Sequence, residues 1–235
     1  MNVDKSKNFP RPDENFESME ITTPLGSRAS TITAYSRLAL RLERELGQEN
    51  CGSSLLVMPA EYDRVAVETV TELAWHLADL GHKVLLVDGS FNALGLTKAL
   101  CGKASPGLMN LLAADDLTEG IIQSMIRSTP HAKISYIPVG FDDLNRLAPV
   151  RARMLRNFLS IACGMADFVL IQGPAVAKAS RALAFGSLVD AVLLVTLEGE
   201  SSFGKLGEAQ QILNESGAER VGLLIGASRS YSEQE

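Results

Sequence analysis

Along most of the chain, short aliphatic runs alternate with longer stretches of helical periodicity. SSLLVM is followed by VETVTELAWHLADLG, KVLLVD by the helical GLMNLLAADDLTEGIIQSMI, and ISYIPVG by VRARMLRNFLSIACGM. DFVLIQ, ALAFGSLVD, AVLLVT, GKLGEAQQILNESG and RVGLLIG complete the series. The runs VLLV and FVLI show no polar alternation, which is the pattern of strands buried on both faces. Strand and helix in repetition predict an α/β fold, a mostly parallel sheet with helices on both faces. Ligands of such sheets bind beyond the C-terminal strand ends, so the turns after these runs are where chemistry is expected.

Ahead of the first strand, Ile32, Tyr35, Leu38, Ala39, Leu42 and Leu46 fall on one helical stripe, with Arg37, Arg41, Arg44 and Glu45 mostly off it. Residues 1–30 are rich in Asp, Glu, Asn, Ser and Pro and are expected to form a flexible tail, because they bury too little surface to offset the entropy of ordering. The division is therefore tail 1–30, folded domain 31–228 and polar end 229–235.

Composition narrows the function. A chain of 235 residues with 46% hydrophobic residues holds one large core, and its net charge of -6 argues against nucleic acid or anionic lipid as a direct partner. Cys51, Cys101 and Cys163 have no metal-binding spacing and are expected to be buried thiols. His76, His82 and His131 have no companion ligands at metal spacing, so no metal site is expected, and the three are expected at solvent or helix surfaces. Arg151, Arg153 and Arg156 are expected on a solvated face. No stretch approaches the roughly 20 apolar residues of a membrane span, and the N-terminus has no apolar signal core, so a cytoplasmic location without membrane insertion is expected.

Four turns carry the chemical question: the one after SSLLVM, Asp88 in LLVDGSFN, Gln172 in FVLIQGPAV, and Gly226 in RVGLLIGAS. The order of these blocks, with AYSRLALRL before them, resembles the cytoplasmic domain of bacterial tyrosine kinases over residues 33–228. Those kinases are relatives of the deviant-Walker, P-loop NTPase-like proteins that position chromosomes and division sites. The resemblance implies a role in capsule and exopolysaccharide synthesis beside a chain-length-determinant membrane protein, and a cytoplasmic chain recruited to the inner face of the membrane by such a partner.

Laid on this chain, the family's phosphate-binding lysine falls on Ala66, its following hydroxyls on Val67 and Glu68, and its glycines on Asp63 and Val65. The second acidic motif becomes Asp88, Ser90 and Asn92. The magnesium-orienting aspartate is Gln172, and the adenine-reading asparagine is Gly226. The ring-assembly motif Glu-x-x-Arg-x-x-Arg falls on Thr33, Ser36 and Ala39, which argues against a ring and leaves a homodimer open.

Side chains across 61–68 deny the backbone the close approach that glycines give, and a lost lysine contact is worth roughly 1.5–3 kcal/mol. Glu61, Asp63 and Glu68 are expected to place carboxylates where a triphosphate would sit, each like-charge pair at about 4 Å costing about 4 kcal/mol at an effective dielectric near 20. Asp63 fits a helix N-cap. Asp88 and Gln172 are expected as polar turn residues. The expectation is a pseudo-ATPase without catalytic residue or cofactor, binding a chain-length determinant or another polysaccharide-export component. Its expected contact surfaces are the Tyr35–Leu46 helix and the segment Glu198–Gly204. Tyr231 is a candidate phosphosite, since tyrosine-rich tails are the targets in the kinases. Two alternatives stand: an active kinase or ATPase with ATP, magnesium and a rebuilt phosphate site using Asp88 as base, and a partitioning or division-site positioning protein.

Overall fold

The computed structural model describes residues 29–47, 51–61, 63–91, 95–100, 102–104, 106–140, 152–178, 183–199 and 201–226. The tail before Ala29, together with Asn92, Cys101, Arg151 and Tyr231, lies outside them. Helix α1 (Ala29–Leu46) precedes β1 (Ser53–Pro59), α2 (Asp63–Asp79) and β2 (Val84–Asp88). Then come α3 (Gly95–Ala99), α4 (Leu108–Ala113), α5 (Glu119–Met125), β3 (Arg127–Ser128) and β4 (Ile134–Ile137). The chain continues through α6 (Ala152–Met165), β5 (Phe168–Gln172), α7 (Leu183–Gly186), β6 (Ala191–Leu197), α8 (Phe203–Glu215) and β7 (Val221–Gly226).

The strands form one sheet in the order β3-β4-β2-β5-β1-β6-β7, parallel throughout except for β3, which pairs antiparallel with β4. Every residue of β1, β2 and β5 is buried, as expected of strands covered on both faces. One face packs on α4, α5, α6 and α8 through Leu111, Ile122, Phe158 and Leu213. The other packs on α1, α2 and α3 through Leu42, Leu73, Leu77 and Leu96. The mostly parallel sheet with helices on both faces is the architecture predicted by the hydrophobic pattern.

Several local expectations need correction. The helical stretch from Gly107 to Ile126 is two short helices, because Thr118 starts the second one by accepting a hydrogen bond from the Ile121 amide at 3.3 Å. Helix α1 does not offer its apolar stripe as a contact surface. Ala39, Leu42 and Leu46 are buried, Tyr35 Oη meets Thr69 Oγ1 at 3.3 Å, and Ser36 Oγ meets His76 Nδ1 at 3.3 Å. The positions expected from the ring motif, Ser36 and Ala39, thus seat α1 on α2. The histidines are half-buried and each meets a neighbouring side chain: His76 on α2 beside Tyr35, His82 on Glu43 at 2.8 Å, and His131 edge-on to Trp75. Cys163 is buried and its thiol pushed up to about 12, chiefly by desolvation, whereas Cys51 is exposed, contrary to expectation.

The α1–α2 seam holds a buried carboxylate, Glu72, 3.9 Å from His76 Nε2. Burial raises its pKa above the ordinary range, partly opposed by His76 and reinforced by Glu68. A raised folded-state pKa gives stability that is present below the ordinary carboxylate range and lost as pH rises through the folded value. Glu72→Gln is therefore expected to raise the melting temperature at neutral pH, with the gain vanishing near about pH 4; thermal unfolding across pH checks this.

Candidate functional site

The C-terminal ends of β1, β5 and β2 lie side by side, with Val57 opposite Gln172 and Gln172 opposite Asp88. This is where an open α/β sheet places a ligand. Asp88 is wholly buried, and both of its carboxylate oxygens are engaged. Oδ1 accepts from the Ser90 amide at 3.1 Å and the Ser90 hydroxyl at 2.7 Å, while Oδ2 accepts from the Thr97 amide at 2.7 Å. The Thr97 hydroxyl in turn accepts from the Val139 amide at 3.0 Å. Asp88 therefore ties β2 to α3, and through Thr97 to the end of β4.

Gln172 is the last residue of β5, where the aliphatic run was expected to end, but it is fully buried rather than a polar turn residue. Its Nε2 donates to the Gly173 carbonyl at 2.6 Å, and its Oε1 accepts from the Leu96 amide at 3.3 Å. A Cβ at position 95 would sit 2.6 Å from that Oε1, so Gly95 is what lets the first turn of α3 close over Gln172. Of the N-H groups that open α3, those of Leu96 and Thr97 are bound to Gln172 and Asp88.

Among the described residues, Phe91, three residues beyond Asp88, is the non-glycine residue with positive φ, at 56°. A left-handed bulky residue costs about 1–3 kcal/mol. Burial of its ring, 5.9 Å from that of Phe185, offsets this.

At the first turn, α2 begins at Asp63, whose side chain lies outside the described residues, as does its expected capping contact. Val65 and Ala66 are buried in the apolar cluster beneath α2, and Val67 is half-buried against it. Ala66, the position on which the lysine was expected to fall, thus faces the core. Exposed Glu68 pairs with Arg64 at 2.8 Å.

Glu61 is an ion-paired carboxylate. It accepts from Lys205 Nζ and, at 2.9 Å, from the Ser201 hydroxyl, which lies 3.1 Å from Thr196 Oγ1. The Lys205 ammonium, then Ser201, holds the Glu61 carboxyl below the usual range. Ser201 belongs to the segment Glu198–Gly204 where a contact surface was expected, and Lys205 follows it directly, so part of that segment is occupied within the fold. Gly226 closes β7, its carbonyl accepting from the Glu198 amide at 2.8 Å. No group of His, Cys, Asp and Glu able to hold a metal occurs among the described residues.

No family model matches the chain. It is 25% identical over 167 residues to tyrosine-protein kinase CpsD of Streptococcus agalactiae, covering 67% of each chain. The kinase domain of Escherichia coli tyrosine kinase ETK superposes with a TM-score of 0.72 at 20% identity, over 88% of this chain and 80% of that one. The fold is that of the bacterial tyrosine-kinase domains. The septum site-determining protein MinD of Pyrococcus horikoshii, complexed with Mg-ADP, matches with a TM-score of 0.61 at 22% identity over 78% and 72% of the two chains. The tyrosine-kinase-like frame thus extends to the P-loop NTPase fold.

Sequence reasoning singled out Asp88 and Gln172 but missed Thr97, Phe91 and Lys205. Thr97 acts on Asp88 through its backbone amide, which leaves no mark in side-chain chemistry. Asp88→Asn is expected to lower stability by about 1–3 kcal/mol, because an amide NH2 would face one of three donors and leave a buried N-H or O-H unsatisfied. Denaturant unfolding measures the loss; an unchanged midpoint would contradict the internal role.

Proposed function

We propose that this tyrosine-kinase-like chain works in capsule or exopolysaccharide export by binding, without phosphotransfer of its own. The reading is supported chiefly by Asp88. In a phosphate-transfer site its carboxylate would have to serve a metal or a nucleophile, yet both oxygens are taken by Ser90 and Thr97. The residues around it do not fit a magnesium-bound triphosphate either: Ala66 is inside the core, Gln172 caps α3, and Lys205 is paired with Glu61. Asp63, Val65, Val67, Glu68, Ser90 and Gly226 supply no substitute for the lysine, glycines and hydroxyls of a phosphate loop.

The partner we propose is the cytoplasmic part of a chain-length-determinant membrane protein, which would bring the chain to the inner face of the membrane. Among the described residues no helix is long and apolar enough to cross a membrane itself.

Calorimetric titration of the full chain with ATP and magnesium is expected to give no binding tighter than about millimolar, equivalent to roughly -4 kcal/mol. Micromolar affinity, or steady ATP hydrolysis by the purified chain, would overturn the proposal.

A further inference from the structure

Strand β7 is the edge of the sheet, and among the described residues it pairs with β6 alone. Its sequence VGLLIG carries no charge and no proline, two of the devices that keep natural edge strands from pairing with another chain. The side chains of Leu223 and Ile225 are 52% and 50% exposed. Phe203, in the first turn of α8, is 90% exposed. These are three of the five large apolar side chains that stand well exposed among the described residues. All three belong to one side of the sheet. Leu206, Ala209 and Leu213 of α8 share a core cluster with Val221, whereas Leu224 packs against the opposite cluster. Alternation along the strand then places Leu223 and Ile225 on the α8 side with Val221.

The backbone of β7 is two-sided in its hydrogen bonding as well. Val192 N donates to the Arg220 carbonyl and Glu198 N to the Gly226 carbonyl, each at 2.8 Å. In a parallel ladder alternate residues bond to the same neighbour, so even-numbered residues of β7 face β6. The N-H and C=O groups of Val221, Leu223 and Ile225 therefore point away from β6, to the side on which no described strand pairs, on the residues of β7 that share the α8 side.

We propose that β7 is a homodimerisation edge, on which a second copy of this chain lays its own β7 antiparallel about a two-fold axis through Leu223. In that register Leu223 faces Leu223 of the second copy, and Val221 and Ile225 face Ile225 and Val221. Every outward N-H and C=O of the strand then meets its complement, since a hydrogen-bonded antiparallel pair exchanges both bonds. The same pairs put aliphatic side chains against aliphatic side chains on the α8 face. Arg220 falls opposite Gly226 of the second copy, so the pairing brings no like charges together. An isologous contact of this kind closes at two copies and joins two sheets into one. It uses neither the strand-end crevice nor a nucleotide.

Sedimentation equilibrium of the full chain, with and without ATP, is the first test. A concentration-dependent dimer is expected, indifferent to ATP, and Ile225→Lys is expected to weaken it at least about tenfold. Ile225→Thr, which keeps a β-branched residue on the strand, should weaken it in the same direction with little change in melting temperature. Amide hydrogen exchange gives the site-resolved readout. The Val221, Leu223 and Ile225 amides should be protected only at concentrations where the dimer forms, and the Gly222, Leu224 and Gly226 amides at all concentrations. A monomer throughout, or a dimer unaffected by either substitution, overturns the proposal. So does protection of the outward amides in a monomer, which would mean that another segment of the same chain covers the edge.

Discussion

A carboxylate with no exposed surface must find its hydrogen bonds inside the protein, because leaving a buried charge unpaired costs several kcal/mol. Asp88 meets that requirement with donors from Ser90 and from the backbone of Thr97, nine residues away. Because Thr97 sits in the first turn of α3, meeting it fixes α3 across the ends of β2 and β5. Gln172, the register partner of Asp88, takes the adjacent Leu96 amide, and Gly95 makes room for it. The Leu96 and Thr97 amides at the start of α3 are thereby bound to strand side chains.

The same logic runs through the two flanking turns. At the start of α2, Ala66, where the resemblance led a lysine to be expected, is an apolar position of the core, and the charge nearby, Glu61, is paired with Lys205 from the start of α8. Helix α1 is held by Tyr35, Ser36 and Ala39 against α2. None of these arrangements disturbs the sheet, whose stability rests on aliphatic burial between two helical layers. A fold can keep its architecture while its site changes, since the two depend on different residues.

That division also explains what could be read in the sequence. Six strands announce themselves as aliphatic runs, and all six occur; β3 is only two residues long and leaves no pattern. The break between α4 and α5 depends on one threonine capping a helix, a signal overridden in the reading by the surrounding helical periodicity. The stripe of α1 was visible, but periodicity says only that a face is apolar, not whether it meets α2 or another protein. Within the site, Asp88 stood out as an acid ending an aliphatic run, and Gln172 and Ala66 because other residue types were expected there. Lys205 did not, since it lies 144 positions from Glu61 and only the fold brings them together. Phe91 has no propensity for the left-handed conformation it adopts, so its strain is a product of tertiary packing.

The central claim is that the strand-end crevice is closed by the chain's own side chains. A crystal structure grown with a non-hydrolysable ATP analogue and magnesium addresses it directly. The account predicts Asp88 still bonded to Ser90 and Thr97, Gln172 still on Leu96, and no ordered analogue. An analogue ordered against residues 61–68, with Asp88 released toward a metal, would contradict it.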